Sequence, residues 1–176
     1  MADLNDTLFV LRAADYIRDQ LVNIPALTPI QLFLRGTMPP GSIPQQLTPY
    51  CEVLLWLDEP NPAMHALGET GHRYTGMLRF VLKMTQLTGR DWVEMGGKRS
   101  QNVESYTVVA GYISAARTGL DTCAHRDLGG LVVANEAVCM FSLGRITYGL
   151  AVDQRQNSWS NWGAIEFHIR TAVHAA

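Results

Sequence analysis

Between Arg73 and Thr85 the chain alternates with a period of two: Tyr74, Gly76, Leu78, Phe80, Leu82 and Met84 are apolar or small, and Arg73, Thr75, Arg79, Lys83 and Thr85 fall between them. Successive side chains of an extended strand point to opposite faces, so this spacing puts one face against a core and turns the other to water or a partner. A second run, Ala164 to Thr171, alternates Ile165, Phe167 and Ile169 with Glu166, His168 and Arg170. Half-buried strands need a covering layer. Leu4, Leu8, Leu11, Ala14, Ile17 and Leu21 recur every three or four residues ahead of Pro25, with Asp3 and Asp6 where a helix N-terminus favours negative charge, and predict a first helix. Asn102 as cap and Glu104 in the first turn open a second, with Val103, Tyr106, Val109, Ala110, Ile113 and Leu120 as its apolar stripe. The small residues Gly111, Ser114, Ala115 and Ala116 let that helix approach a sheet closely.

Further strands are expected at Ile30 to Arg35, bounded by Pro29 and Gly36, and at Tyr50 to Leu57. In the latter, Val53, Leu55 and Leu57 occupy one face and Leu54 and Trp56 the other, which predicts cover on both sides. Ala137 to Leu150, past a Gly129-Gly130 turn, predicts a strand bent or bulged at Gly144. Thr37 to Pro49 reads as a connecting loop, Asp58 to His72 as a long projection, and Gln86 to Ser100 as a loop carrying the apolar cluster Trp92, Val93 and Met95. Asp153 to Trp162 reads as the hairpin loop before the last strand. The order helix, three strands, helix, two strands predicts an α+β fold: a mostly antiparallel sheet of about five strands flanked by two helices, with long projecting loops. A chain of 176 residues can bury roughly 70% of its unfolded surface around one core. Residues 1–176 are therefore expected to form a single domain.

The composition excludes several classes. No apolar run reaches the ~20 residues of a spanning helix, so no membrane segment is expected. The acidic start Met1 to Asp6 is unlike a secretory signal, which places the chain in the cytoplasm where it is made. A net charge of −2 argues against a dedicated nucleic-acid binder. Cys51, Cys123 and Cys139 lie in or beside apolar runs and read as buried reduced thiols. Cys123-Ala124-His125 with a distant Cys139 is not a zinc set, and no metal or cofactor is expected. Gly96-Gly97-Lys98-Arg99-Ser100 has part of a phosphate loop, but Trp92 stands where that motif needs glycine and Arg99 where it needs a hydroxyl, so it reads as a solvated basic turn. Glu166, His168 and Arg170 share a strand face and offer an acid, a base and an anion clamp, the basis of a rival ligand-binding or enzymatic reading. Without a nucleophile motif they read as the polar face of a half-buried strand. No catalytic residue is assigned.

The tryptophans speak for binding. Trp159 and Trp162 lie in a polar Asn-Ser-rich stretch, where large rings either fold back as a lid or are buried by a partner. Across nearly the whole chain, the N-terminal amphipathic helix, Pro49-Tyr50-Cys51-Glu52-Val53-Leu54, the strand from Arg73 to Met84, Asn102-Val103-Glu104-Ser105-Tyr106, Asp127-Leu128-Gly129-Gly130-Leu131-Val132 and Gly163-Ala164-Ile165-Glu166-Phe167 resemble the tail terminator (tail-completion) family of long-tailed bacteriophages. The resemblance implies a structural virion protein, not an enzyme. It implies a ring, usually hexameric, assembled in the host cytoplasm, that caps the head-proximal end of the tail tube and stops its polymerisation. Its implied partners are copies of itself, the tail-tube protein and a head-completion or neck protein, with DNA passing through the lumen without sequence-specific binding. A head-closure or other neck protein is the neighbouring alternative. The candidate interface residues are Trp92, Met95, Lys98, Arg99, Trp159 and Trp162.

Overall fold

The two alternating segments are neighbours in one sheet. The computed structural model describes residues 4–30, 32–36, 47–58, 71–84, 92–95, 98–101, 103–122, 125–153 and 158–173. Its elements are α1 (Leu4–Val22), a 3-10 turn (Pro25–Leu27), β1 (Leu32–Arg35), β2 (Tyr50–Leu57), β3 (Arg73–Met84), β4 (Trp92–Met95), β5 (Lys98–Gln101), α2 (Val103–Leu120), β6 (Val132–Val133), β7 (Glu136–Asp153) and β8 (Ser158–Val173). Among the described residues the main sheet has six strands in the order β1-β2-β3-β8-β7-β6, and β4 and β5 pair only with each other. Only β1 and β2 run parallel; the other pairs are antiparallel. The α+β architecture read from the sequence is therefore present, with six main strands in place of about five.

Both helices lie on one face. α1 packs on β1 and β2, α2 on β3 and β8, and the helices touch each other. The core between them and the sheet holds Phe9, Ile17, Leu21, Ile113 and Leu120 from the helical layer against Tyr74, Leu78, Phe80, Ile165, Phe167 and Ile169. The alternation of β3 and β8 is kept: Tyr74, Leu78 and Phe80 of the first set and Ile165, Phe167 and Ile169 of the second point inward. In α1 the buried stripe is Phe9, Ala13, Ala14, Ile17 and Leu21, whereas Leu8 and Leu11 are each 42% exposed. The expected stripe was thus out of phase over its first half. The ring of Phe9 stacks on Tyr74 at 4.4 Å between centroids, and that contact sets the rotation of the helix. In α2, Val109, Tyr112, Ile113, Ala116 and Leu120 are buried, and Tyr106 instead lies 48% exposed against Tyr148. The close helix-to-sheet approach is made at Gly163, where a Cβ would lie 2.9 Å from Val109 Cγ1. The expected cap, Asn102, and the expected loops at 37–46 and 59–70 lie outside the described residues, as does Cys123.

Two loop assignments are corrected. Residues 92–95 and 98–101 form a hairpin, β4 and β5, in which Met95 faces Lys98. Residues 158–162 belong to β8, with Trp159 opposite both Met84 and Val152 and Trp162 opposite Val81 and Gly149. Asn and Ser disfavour strands only weakly, and pairing on two sides overrides them. The expected irregularity at Gly144 is present as a register shift between Leu143 and Ile146, and a second shift falls between Val138 and Met140. That second bulge takes Cys139 out of alternation and exposes it, against the expectation of a buried thiol; Cys51 is fully buried as expected. Burial, with the charge of Glu52 adding to it, pushes the Cys51 thiol well above its ordinary pKa, so it stays protonated.

A buried carboxylate ties the strands together at one end. Glu136 Oε1 accepts hydrogen bonds from Tyr74 OH at 3.1 Å and from the Thr171 hydroxyl, with His72 Nδ1 at 3.0 Å, so β3, β7 and β8 meet on one group. The turn that delivers it, Ala134-Asn135 between β6 and β7, has φ of +48° and +70°, the pair of left-handed conformations of a type I′ hairpin. Alanine is strained there, by ~1–2 kcal/mol, and glycine is not, though glycine loses more backbone entropy. Ala134→Gly is expected to raise unfolding free energy by about 0.5–1 kcal/mol in urea titration; a loss of stability would contradict this account of the turn.

Candidate interaction surface

The face of the sheet turned away from α1 and α2 is built from the second residue set of each strand: Glu52, Leu54 and Trp56 of β2; Thr75, Met77, Arg79 and Val81 of β3; Trp162, Ala164, Glu166, His168 and Arg170 of β8; and Met140, Ser142, Thr147 and Gly149 of β7. Strand register places these residues in rows. Trp56, Thr75, His168 and Ser142 form one row; Arg73, Arg170 and Met140 form the next. On this face Trp56 is 44% exposed and Met140 38%. The sequence predicted cover on both sides of β2, and that expectation fails at Trp56 because both helices sit on the other face. A large ring left exposed on a sheet face is a candidate binding feature that the sequence reading did not single out.

Of the six residues predicted to form an interface, Trp92, Met95, Lys98 and Arg99 fall in the β4–β5 hairpin and Trp159 near the start of β8; their side chains lie outside the described ones. Trp162 is half-buried on the open face. Its ring lies flat over β7: a Cβ at Gly149 would stand 2.4 Å from Trp162 Cζ2. The ring of Trp162 thus rests as a lid on the sheet, and of the six it is the one whose side chain is described. Gly149→Ala is expected to swing that ring outward, shift tryptophan emission to the red and cost ~1–2 kcal/mol. An unchanged spectrum would show that the ring does not rest there in solution.

Two ionic features organise the open face. Glu52 is fully buried, and its Oε2 accepts from Arg79 Nε at 2.6 Å and from Nη2 of the same guanidinium across the strand pair. Its Oε1 has no hydrogen-bond partner among the described residues. Burial, then the negative charge of Glu52, raises the pKa of neighbouring Tyr50, and Arg79 opposes that rise. Removing one member of such a pair strands the other charge in a poor solvent, whereas replacing both with apolar groups is far less costly. Arg79→Met is expected to lower stability by about 3 kcal/mol, and Glu52→Leu with Arg79→Met to recover most of that loss in chemical denaturation. Equal losses in the single and double variants would rule out the ion pair as the cause.

The second feature is a shallow groove of about 260 Å³ lined by Asp58, Arg73, Thr75, Met140, Ser142, His168 and Arg170. Here the structure brings together the residues of the rival enzymatic reading. His168 Nε2 lies 3.1 Å from Glu166 Oε1, His168 Nδ1 lies 3.2 Å from Thr75 Oγ1, and Thr75 Oγ1 donates to Asp58 Oδ2 at 2.9 Å. Thr75 has one hydroxyl proton and spends it on Asp58, so it accepts from the Nδ1–H of His168. Both ring nitrogens of His168 are thus engaged within the protein, and the groove holds a polar network of Asp58, Thr75, His168 and Glu166 in and beside the row of Trp56.

No family model matches the sequence, and none of the curated proteins does. Among solved structures the chain is similar to a chain from the virion of a native gene transfer agent particle, with 11% sequence identity and a TM-score of 0.43, over 90% of this chain and 93% of that one.

Proposed function

We propose that this chain is a ring-forming tail terminator of a long-tailed phage, a structural virion protein that caps the head-proximal end of the tail tube, stops its polymerisation and joins it to the head-completion proteins. The observation that carries the reading is the one-sided sheet. Two helices cover one face, and the other keeps Trp56 and Met140 exposed beside fixed charges, a surface suited to a protein neighbour. The resemblance of the sequence to the tail terminator family, read across nearly the whole chain, supports the same reading.

The mechanism is competition between surfaces. Copies close into a ring, one rim imitates a tube subunit, and the other lacks what the next subunit needs. No bond is made or broken, and no cofactor is used. DNA passes through the lumen without base recognition, in keeping with the small net charge of −2. No helix among the described residues is long and apolar enough to cross a membrane. The neighbouring reading, a head-closure or other neck protein, differs in one observable: it would not cap tube ends.

The test is electron microscopy of the purified chain mixed with its tail-tube protein. A closed ring of about six 19.5 kDa copies seated at one end of each tube is expected, with tube length limited by added protein. Tubes that grow unchecked would remove the proposal. Replacing Trp92, Trp159 and Trp162 together with alanine is expected to reduce ring formation at least tenfold while far-ultraviolet circular dichroism stays the same. Undiminished rings would remove these three from the interface.

A further inference from the structure

β7 is 18 residues long, and among the described residues its outer edge is paired over only a short stretch. On one side it pairs with β8 along its length; on the other, β6 covers only Glu136 and Ala137, with single backbone bonds from Val138 to Leu131 and from Phe141 to Arg126. From Ser142 onward no strand among the described residues takes up its outward N–H and C=O groups. Beyond the bulge at Gly144, the stretch Ile146-Thr147-Tyr148-Gly149-Leu150-Ala151-Val152 has no charge and no proline. Folded proteins blunt free edges with lysine, proline, bulges or cover, and an uncharged edge of this length is a template for another strand.

The same chain carries the complementary part. Among the described residues the β4–β5 hairpin belongs to no larger sheet, and an isolated two-stranded hairpin is at best marginally stable in water. Its two strands differ. β5 contains Lys98 and Arg99, residues that guard an edge, and β4, Trp92-Val93-Glu94-Met95, has a single charge. Four residues extend about 13 Å, well inside the roughly 23 Å offered from Ile146 to Val152. The hairpin is also tethered at the right end of the sheet. It follows Met84 of β3, which lies in the same row as Trp159 and Val152, and it directly precedes α2, whose Tyr106 packs on Tyr148 of β7.

We propose that the free edge of β7 in one copy takes up the β4–β5 hairpin of a second copy, β4 pairing along Ile146 to Val152, so that copies join head to tail. An edge on one subunit meets a different element on the next, the heterologous contact from which closed rings are made. Main-chain hydrogen bonds supply the contact, as in other strand additions, and the side chains of Tyr148 and Leu150, 38% and 41% exposed, flank it. The inference deepens the ring reading by naming its subunit joint, and it depends on self-association alone, not on what the ring caps.

The experiment is light scattering on the full chain across a concentration series, together with amide hydrogen exchange. Leu150→Lys places a charge on the edge, and Val93→Pro removes the β4 donor that faces Ser100 and so unmakes the hairpin that would dock. Each is expected to weaken self-association at least tenfold with unchanged circular dichroism. In the assembled wild type, amides within 146–152 are expected to exchange at least tenfold more slowly than in Val93→Pro. Because Val93 lies outside the main sheet, that variant and its exchange pattern carry the test should Leu150→Lys fail to fold. A wild type that stays monomeric, or variants that associate like it, would overturn the joint. Loss in Leu150→Lys with none in Val93→Pro would overturn it in favour of β7 pairing with β7 about a two-fold axis. If the joint stands and tubes are not capped, the terminator reading alone falls; if capping rings survive both substitutions, the joint alone falls.

Discussion

Everything in this molecule depends on the pairing of β3 with β8. From Arg73 opposite Arg170 to Met84 opposite Trp159, two segments far apart in sequence lie antiparallel at the centre of the sheet. Their register is fixed because both carry period-two patterns: a slip of one residue would send Tyr74, Leu78 and Phe80 to the open face while Ile165, Phe167 and Ile169 stayed inward. The helices then follow. α1 is oriented by Phe9 on Tyr74, and α2 by Val109 near Gly163.

The same register determines what meets on the opposite face, where no hydrophobic rule operates. Thr75 comes opposite His168, and Arg79 reaches Glu52 from the neighbouring strand pair. The buried ion pair and the Asp58-Thr75-His168-Glu166 network hold that face in one arrangement without covering it. Removal of charges from water is costly unless they are paired, so these networks define a specific surface more than they add stability. Beside them Trp56 and Met140 remain exposed. One side of the sheet is thus covered by both helices while the other exposes Trp56 and Met140 around the buried Glu52 and Ala164, and among the described residues no strand lies on the outer edge of the far half of β7. In an isolated monomer that edge has no purpose and invites uncontrolled pairing. In a ring it is a joint.

The misread segments share a physical cause. Leu8 and Leu11 keep helical spacing with Ala14 and Ile17, yet Phe9 and Ala13 take the inward positions, because two phases of one amphipathic pattern differ by a single residue and only Tyr74 chooses between them. The β4–β5 hairpin had a local signal in Gly96-Gly97, a two-residue connection, but its strands are unlike, one mostly apolar and one polar, and neither alternates. Ser158 to Trp162 has the composition of a turn and is held extended by β3 and β7 on either side. Trp56 was assigned to a doubly covered strand because an apolar run does not say how many layers lie over it.

The sequence by itself determined the α+β class, the bounds of β2 and β3, the inward faces of β3 and β8, the irregularity at Gly144 and the burial of Cys51. Each is set by spacing along the chain or by local turn chemistry, which are properties of neighbouring residues. Tertiary structure alone decided that both helices share one face, that Glu52 is buried against Arg79, that Trp56 is exposed and that, among the described residues, the far half of β7 lies at an edge of the sheet. Those facts depend on which distant segments become neighbours, and no periodicity within a segment encodes its partner.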